Sequence, residues 1–350
     1  RFGVKIYFVG GLVRDILMGK NPLDIDILVE GNAIDFVKSL DFVQIKSQHK
    51  DFGTVKTIIE GTEIDFASTR VEKYPHSGCL PVVTKTGCSI KDDLIRRDFT
   101  INAIAARILP SLEYEIIDIF SGAEDIKKGI LKVLHKNSYI DDPTRILRGL
   151  DFKLRFNFDF SEQDKILIEN YLKSPNRECL SKDRVILTLK KLFNSKERAN
   201  RAFEEFREKK YYKILFDNFD LNAYDINKSV EIFKPQNISE TYIKYIFEQE
   251  KDCNKLNSRL EIYKYFKNLS DTDICVYYAV THDENAILYQ NTLKNIELKI
   301  SGSDLINLGF KQGKIIGKIL DKTLEAKLAK NSSIKSFLDE INYVKKTFIP

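Results

Sequence analysis

The chain has 350 residues, of which 43% are hydrophobic and 31% are charged, and its formal net charge is +5 at pH 7. This length is sufficient for two or more domains with full hydrophobic cores, and the composition is that of a globular protein. No apolar run approaches the ~18–20 residues of a membrane span, and no secretory leader is visible. Because the chain starts almost directly on an apolar strand, we expect an upstream piece to be missing.

The cysteines and histidines show no ligand or disulfide pattern. There are five cysteines, an odd number, and none forms a Cys-x-x-Cys pair. We therefore expect neither a disulfide framework nor a zinc site, which favours a reducing cytoplasm. The sequence His282-Asp283 has no partner at metal-ligand spacing and is interpreted as a surface turn. The cysteines are Cys79, Cys88, Cys179, Cys253 and Cys275.

Strand and helix signals alternate along the first ~135 residues and predict a mixed sheet. Strands are predicted at 4–9, 24–28, 54–60, 63–67 and 115–119, and helices at 13–17, 33–40, 92–95 and 100–106. After Asn137 the strand signals fade, and helical periodicity continues to the end of the chain. Pro143 fits the first turn of a helix, with Asp142 as its cap. The predicted fold class is α+β, with an N-terminal sheet-containing part followed by helices.

Asp24 and Asp26 are separated by one residue within a predicted strand, so both carboxylates emerge on the same face. Two adjacent carboxylates repel each other unless a cation lies between them, and Mg²⁺ is such a cation. Gly10 and Gly11 open the preceding helix, where a backbone without Cβ atoms and free N–H groups suits a triphosphate. The combination predicts metal-assisted nucleotidyl transfer.

Three motifs in this order carry a family resemblance. Residues 8–17 with Asp24-Ile25-Asp26, residues 92–105, and residues 141–148 resemble the signatures of class II tRNA nucleotidyltransferases and bacterial poly(A) polymerases. The resemblance covers residues 4 to about 193 and returns weakly at residues 300–319. It implies a catalytic head at residues 1–135, a base-selecting neck at 136–194, a body at 195–300 and a tRNA-binding tail at 301–350.

The resemblance also implies roles for individual residues. Asp65 is the expected third carboxylate, with Glu63 on the same strand face as its competitor. Arg97 would contact the sugar or the triphosphate, unless it only forms a surface salt bridge with Asp92 or Asp93. The other expected nucleotide-binding residues are Gly10, Gly11, Arg14, Asp98, Asn102, Asp142, Arg145 and Arg148.

Base selection follows from the chemistry of Asp142 and Arg145. Cytosine and adenine both present a ring-nitrogen acceptor beside an exocyclic amine donor, which a carboxylate and a guanidinium match. The two residues are three apart and would lie on one helix face. Asp141 replaces the usual glutamate of this motif. Asp151 stands where many relatives carry an arginine, for which Lys153 or Arg155 could substitute.

Charge along the chain suits a polyanionic partner. Residues 176–210 and 311–348 each carry a net charge of +5, whereas residues 216–300 carry −4. We therefore predict a cytoplasmic enzyme that adds C, C and A to tRNA 3′ ends, using CTP, ATP and Mg²⁺ and needing no obligate protein partner. The alternatives are A-only or CC-only addition, poly(A) synthesis, a catalytically inactive RNA-binding module, or a small-molecule adenylyltransferase.

Overall fold

The computed structural model of the chain describes residues 3–22, 24–111, 113–217, 223–248 and 256–349. The chain divides into two compact units, residues 1–220 and 221–350. Within the described residues, all strands belong to the first unit and the second unit is helical. This confirms the predicted α+β fold. The finer division into head, neck, body and tail stays a prediction.

A seven-stranded mixed sheet dominates the N-terminal part, in the spatial order β3-β4-β5-β2-β1-β8-β9. Strands β2 and β5 are parallel, and the other neighbours in this sheet are antiparallel. Strands β6 and β7 form a separate hairpin, and β10 and β11 form a short parallel pair. The strands are β1 (Lys5–Val9), β2 (Ile25–Glu30), β3 (Gln44–His49), β4 (Thr54–Ile59), β5 (Thr62–Ser68), β6 (Arg70–Lys73), β7 (Val82–Thr86), β8 (Ala105–Ile108), β9 (Tyr114–Ile117), β10 (Ile130–Leu131) and β11 (Asp159–Phe160).

Helices pack against the sheet in the N-terminal part and make up most of the chain after it. None of the helices in the described residues has both the length and the apolar character of a membrane span. In the first unit they are α1 (Gly11–Leu17), α2 (Ala33–Lys38), α3 (Ile90–Leu94), α4 (Gly122–Lys128), α5 (Ser138–Asp141), α6 (Thr144–Phe156), α7 (Glu162–Lys173), α8 (Lys182–Leu192) and α9 (Lys196–Glu208). In the second unit they are α10 (Ala223–Phe233), α11 (Ile238–Phe247), α12 (Arg259–Phe266), α13 (Asp271–Thr281), α14 (Glu284–Leu288), α15 (Gly302–Asn307), α16 (Lys314–Leu328) and α17 (Phe337–Phe348).

Alternation along β2 separates two hydrophobic clusters. Ile27 and Val29 pack in the cluster that contains α2, whereas Leu28 packs with Leu94 of α3. Asp26 is two residues from Leu28, so its side chain lies on the α3 face of the sheet. The hydrophobic pattern thus fixes which face of the sheet carries the carboxylates.

The helix predicted at residues 100–106 is wrong. Thr100–Asn102 forms a short 3₁₀ turn, and β8 then pairs with β1, with Ala105 opposite Val9. Strand β8 lies between β1 and β9, and Ala105 is fully buried. A buried strand of this kind has a continuous apolar run, which does not distinguish it from a buried helix.

The cysteine prediction is also corrected, because Cys79 and Cys179 form a disulfide across 100 residues. Two loops that are remote in sequence meet in the fold, a proximity that spacing does not reveal. Cys88 and Cys275 are free and buried, and Cys253 lies outside the described residues. The cysteines consequently give no support for a reducing compartment.

Gly122 at the start of α4 provides a test of the packing behind the site. A Cβ atom there would lie 2.2 Å from the carbonyl oxygen of Thr100, which belongs to the 3₁₀ turn. Since a backbone atom cannot rotate away, we expect Gly122→Ala to destabilise the fold by about 2–3 kcal/mol. Thermal melts followed by circular dichroism would measure the loss.

The matched control is Gly317→Ala within α16, where a Cβ would have no neighbour within 4 Å. Alanine is the better helix former, so this variant should gain about 0.5–1 kcal/mol. A Gly122→Ala protein with the melting temperature of the wild type would contradict the close packing of Gly122 against Thr100.

Candidate active site

Two carboxylates lie side by side on the sheet. Asp26 on β2 and Asp65 on β5 are direct partners in the parallel pairing, so their side chains share one face. Burial is the main reason that the pKa of Asp26 is raised; Arg97 opposes this, and the charges of Asp65 and Asp24 add to it. Asp24 precedes β2 and is exposed. The three carboxylates predicted to bind metal therefore act on one another electrostatically.

Asp65 and its competitor Glu63 differ in their cross-strand partners, because Asp65 lies opposite Lys56 and Glu63 lies opposite Ile58. Glu63 forms an ion pair with Lys46, whereas Asp65 contacts Lys56 at 3.1 Å. In the part of the chain that the structure describes, no three His, Cys, Asp or Glu side chains converge closely enough to hold a metal ion. Adjacent carboxylates of this kind nevertheless match the oxygen ligands that a divalent cation prefers. The donor set fits such a cation once Asp65 turns from Lys56.

Gly10 connects the end of β1 to α1 with a positive φ of 65°, a conformation that glycine adopts readily. A Cβ atom at this position would lie 3.0 Å from Nη1 of Arg97. Gly10 therefore serves both the turn and the close approach of the arginine. No side chain caps the start of α1, so its first N–H groups face the same space as Arg97.

A fully buried carboxylate, Asp93, orients two neighbouring arginines. One of its oxygens accepts hydrogen bonds from Nε and Nη2 of Arg96, at 3.1 and 2.8 Å. The other accepts from Nε and Nη2 of Arg97, at 3.3 and 3.2 Å. The backbone N–H of Arg70 donates to Asp93 as well. The alternative of a surface salt bridge for Arg97 is therefore correct in its partner, Asp93, but not in its location. The ion pair is buried, and Arg97 lines the cavity.

A second buried carboxylate, Asp98, joins the catalytic sheet region to helix α6. Its oxygens accept from the amide of Asn102 at 3.1 Å and from the guanidinium of Arg148. The side-chain amide oxygen of Asn102, Oδ1, accepts in turn from Nη1 of Arg14 at 2.7 Å. Burial would raise the pKa of Asp98, but Arg148 and Asn102 outweigh it and hold the pKa below its usual range. The four predicted nucleotide-binding residues Arg14, Asp98, Asn102 and Arg148 therefore form one network.

Asp142 is buried at the start of α6 and has two sets of partners. Oδ1 accepts from the backbone N–H of Thr144 at 3.1 Å, which is the predicted capping contact. The same oxygen forms an ion pair with Arg184 of α8 at 3.0 Å. Arg184 also donates to the carbonyl oxygen of Gly78, at 2.8 Å. Sequence reasoning did not identify Arg184, because nothing near it in the chain indicates a contact with either residue.

Arg145, in the first turn of α6, is buried and lines a cavity together with Asp142. Its guanidinium donates to Ser138, to the Tyr74 hydroxyl at 3.2 Å and to the carbonyl oxygen of Arg96 at 2.8 Å. Its Nε is buried without a hydrogen-bond partner. A buried donor of this kind is costly unless a further acceptor arrives.

The two departures from the family pattern have different surroundings. Asp141 is partly buried, its pKa is raised mainly by burial, and it lies 3.9 Å from Nδ1 of His135. Asp151 pairs with Arg155 at 3.2 Å and lies 3.7 Å from Arg198. Of the two predicted substitutes for the missing arginine, Arg155 lies beside Asp151.

Lys153 points elsewhere and pairs with Glu205 and Asp159. Both Arg155 and Asp151 line a cavity of about 480 Å³ between α6 and α8. Arg155 is therefore the better candidate for the missing arginine.

A different polar cavity, of about 460 Å³, is enclosed by the residues around Gly10, Asp98 and Arg145. It holds more arginines than acidic side chains, which suits a polyanionic ligand such as a nucleoside triphosphate. Arg70, Glu72 and Tyr74 belong to it but were not predicted; Arg70 and Glu72 share one face of β6, and Tyr74 directly follows the strand. The lining residues are Gly10, Gly11, Arg14, Asp26, Arg70, Glu72, Tyr74, Pro81, Arg96, Arg97, Asp98, Asn102, Asp142, Arg145, Arg148 and Phe152.

Comparison with known proteins identifies relatives of this chain. The family described as the Poly A polymerase head domain matches residues 6–132. The A-adding tRNA nucleotidyltransferase of Aquifex aeolicus is 37% identical over 64% of this chain and 27% of its own length. The CCA-adding enzyme of Ligilactobacillus salivarius is 28% identical over 91% of this chain and 87% of its own. The chain spans 19–38% of the length of the A-adding relatives that it matches.

Solved structures of CCA-adding enzymes share the fold over almost the whole chain. The Thermotoga maritima CCA-adding enzyme in complex with tRNA has a TM-score of 0.76 and 27% identity, covering 98% of this chain and 91% of that one. Complexes of a CCA-adding enzyme with CTP and with ATP have TM-scores of 0.75 and 0.77, both at 28% identity. They cover 99% and 97% of this chain, and 91% and 90% of theirs. Residues 6–132 belong to the family of the Poly A polymerase head domain, and the chain shares the fold of CCA-adding enzymes over nearly its whole length.

Proposed function

We propose that this protein is a template-independent tRNA nucleotidyltransferase that adds C, C and A to tRNA 3′ ends from CTP and ATP, releasing pyrophosphate. One observation carries the proposal: a single cavity contains the carboxylate Asp26, the Gly10 turn and the pair Asp142 and Arg145. The first two features suit phosphoryl transfer, and the pair suits the edge shared by cytosine and adenine. The near full-length match to a CCA-adding enzyme supports the same reaction.

In this proposal Asp24 and Asp26 hold Mg²⁺, and Asp65 completes the donor set from the neighbouring strand. Bound there, Mg²⁺ would activate the attacking 3′-hydroxyl and neutralise the departing pyrophosphate. The chain itself supplies the positioning. Arg97, aligned by Asp93, reaches the triphosphate over the Gly10 turn.

The network of the buried residues Arg14, Asp98 and Asn102 with the exposed Arg148 would hold the sugar and its phosphates. Asn102 and Asp98 offer hydrogen-bonding groups to the ribose, and Arg14 and Arg148 offer cations. Because each member is fixed by another, the network is already arranged before a nucleotide arrives. Such preorganisation reduces the cost of ordering the side chains on binding.

Base selection would use Asp142 as acceptor for the exocyclic amine and Arg145 as donor to the ring nitrogen. Arg145 has a buried Nε without a hydrogen-bond partner, so an acceptor on the base would satisfy it. Uracil and guanine present the opposite polarity and would strand buried groups at about 1–3 kcal/mol each. The same two side chains can therefore serve C and A in turn.

A second candidate is addition of the final A alone. The A-adding relatives are 37–39% identical over 46–64% of this chain, higher than the 28% of the near full-length CCA-adding relative. A direct test supplies tRNAs that lack three, one or none of the terminal nucleotides, with each nucleoside triphosphate alone and mixed. Extension of all incomplete tRNAs to the CCA end supports the proposal, and extension only of the tRNA that lacks A supports the second candidate.

The cytoplasmic location predicted from the sequence belongs to this proposal. It depends on the tRNA and nucleotide substrates, because the Cys79–Cys179 disulfide removes the support from the cysteines. An inactive RNA-binding module is disfavoured, since such a module has no need of Asp26, Asp65 and Arg97 around one cavity.

The carboxylate assignment predicts opposite effects on activity and stability. Asp26→Asn should abolish nucleotide transfer, and Asp24→Ala should do the same, while both variants stay folded. The folded pKa of Asp26 is raised, so its ionised form destabilises the fold, and stability falls as pH rises upward from about 4. Without metal at pH 7, Asp26→Asn should therefore melt no lower than the wild type. Turnover above about a tenth of wild type in saturating Mg²⁺ would contradict the two-metal mechanism.

Asp142 and Arg145 can be tested through fidelity. Asp142→Asn keeps the oxygen that accepts Thr144 but exchanges the other for an NH₂ donor, so it should shift preference from C and A toward U and G. Arg145→Ala should reduce CTP and ATP use together. Single-nucleotide incorporation with each triphosphate measures both effects.

Asp142→Ala separates capping from selection, because it removes both. We expect it to lose ~1 kcal/mol of stability and also to relax rejection of UTP. A protein that melts lower but discriminates against UTP as before would make Asp142 a helix cap only.

The basic stretches 176–210 and 311–348 should contact the tRNA backbone. Affinity for tRNA should then fall on the order of tenfold or more between about 50 and about 200 mM salt, whereas nucleotide affinity changes less. Fluorescence anisotropy with labelled tRNA measures this dependence. A tRNA affinity that is insensitive to salt would leave the predicted backbone contacts without support.

A further inference from the structure

A row of register partners crosses three neighbouring strands at the carboxylates. Lys56 on β4 pairs with Asp65 on β5, and Asp65 pairs with Asp26 on β2. Strand β1 follows on the other side of β2 and leads directly into Gly10. The Gly10 turn and Lys56 thus lie on opposite sides of the two carboxylates, separated by about three strand spacings of ~4.8 Å each.

A second cavity of about 280 Å³ occupies the Lys56 side of this row. Asp26, Arg70, Arg96 and Arg97 line both cavities, so the two adjoin at the carboxylates. The residues that line the smaller cavity and not the larger one include Asp65, Lys56, His49 and Thr54. The Lys56 side chain is 57% exposed, which leaves its ammonium accessible to a ligand.

Nucleotidyl transfer requires the attacking and leaving oxygens to lie on opposite sides of the phosphorus. If the pyrophosphate leaves over the Gly10 turn, the attacking 3′-oxygen must approach from the side of Asp65. The rest of the primer strand then extends over β4. We propose that Lys56 binds the last phosphodiester of the RNA primer and so positions its 3′ end. The inference rests on the proposed function and deepens it.

Lys56 has two possible partners in this proposal, the Asp65 carboxylate and the primer phosphate. At 3.1 Å the ammonium neutralises the carboxylate that the metal would otherwise neutralise. If Asp65 instead held a divalent cation, the Lys56 ammonium would be free to bind an incoming primer. Arg70 borders the same space but is held by Glu72 at 2.7 Å and by the Phe52 carbonyl oxygen at 3.3 Å, so it is less able to move.

Lys46 is a matched control on the adjacent strand β3. Its side chain is 50% exposed, it forms an ion pair with Glu63, and it does not line the smaller cavity. Lys46→Gln and Lys56→Gln therefore make the same chemical change on the same sheet. Lys56→Arg retains the charge and tests rescue.

The experiment measures binding of a tRNA that lacks only its terminal A, in Ca²⁺ and without nucleotide, together with steady-state kinetics in Mg²⁺. Lys56→Gln should lower the slope of log affinity against log salt by about 1. It should raise KM for tRNA about 3- to 10-fold, with KM for ATP unchanged. Lys46→Gln should match the wild type, and Lys56→Arg should recover most of the loss.

An unchanged salt slope in Lys56→Gln, or an equal effect of Lys46→Gln, would overturn the inference. A rise in KM for ATP alone would do so as well, because it would assign Lys56 to the nucleotide. Failure of the proposed function gives a different result, namely wild-type protein that extends no tRNA. Reduced binding of RNA by Lys56→Gln alone would still support the inference in that case.

Discussion

The site depends on holding several arginines close together inside one cavity. Arginine side chains repel each other, and each carries donors that are costly to bury unpaired. Asp93 and Asp98 solve this problem, because each is buried and each accepts hydrogen bonds from the groups around it. The guanidinium groups of Arg96 and Arg97 are thereby fixed before a triphosphate arrives. Loss of Asp93 would leave the largely buried cations of Arg96 and Arg97 uncompensated, which is among the more destabilising changes a fold can suffer.

The same contacts connect the chemistry to the choice of base. Asp98 follows directly after Arg97 and pairs with Arg148 of α6, while Arg145 of the same helix donates to the carbonyl oxygen of Arg96. Helix α6 is therefore anchored on the segment that orients the triphosphate-facing arginines. All of these residues belong to the first compact unit. Under the proposed function, a displacement of α6 would alter the phosphate side and the base side of the cavity together, and would so couple base selection to catalysis.

The sequence is sufficient to predict what depends on short spacing. The Asp24–Asp26 alternation, the glycine turn and the three-residue step from Asp142 to Arg145 are local patterns, and the structure brings Asp26, Asp142 and Arg145 to one cavity. Arg184 was missed because it contacts Asp142 from α8 through the fold alone. Strand β8 was mistaken for a helix because its apolar run carries no period. The Cys79–Cys179 pair was missed because these cysteines, like Arg184 and Asp142, meet only through the fold. The burial of Asp93 was missed because charged residues are normally exposed.

Asp151 shows how a departure from a family pattern can be compensated locally. An acidic residue in place of an arginine would lower the positive charge beside the base site. Arg155 and Arg198 both approach Asp151, and Arg155, Arg184 and Lys191 line the adjoining cavity with it. The local balance of charge therefore stays positive, and Asp151 acts as an anchor for Arg155 in the way that Asp93 does for Arg97. The electrostatic potential of a cavity is set by its whole lining, so it can survive the exchange of a single charged position.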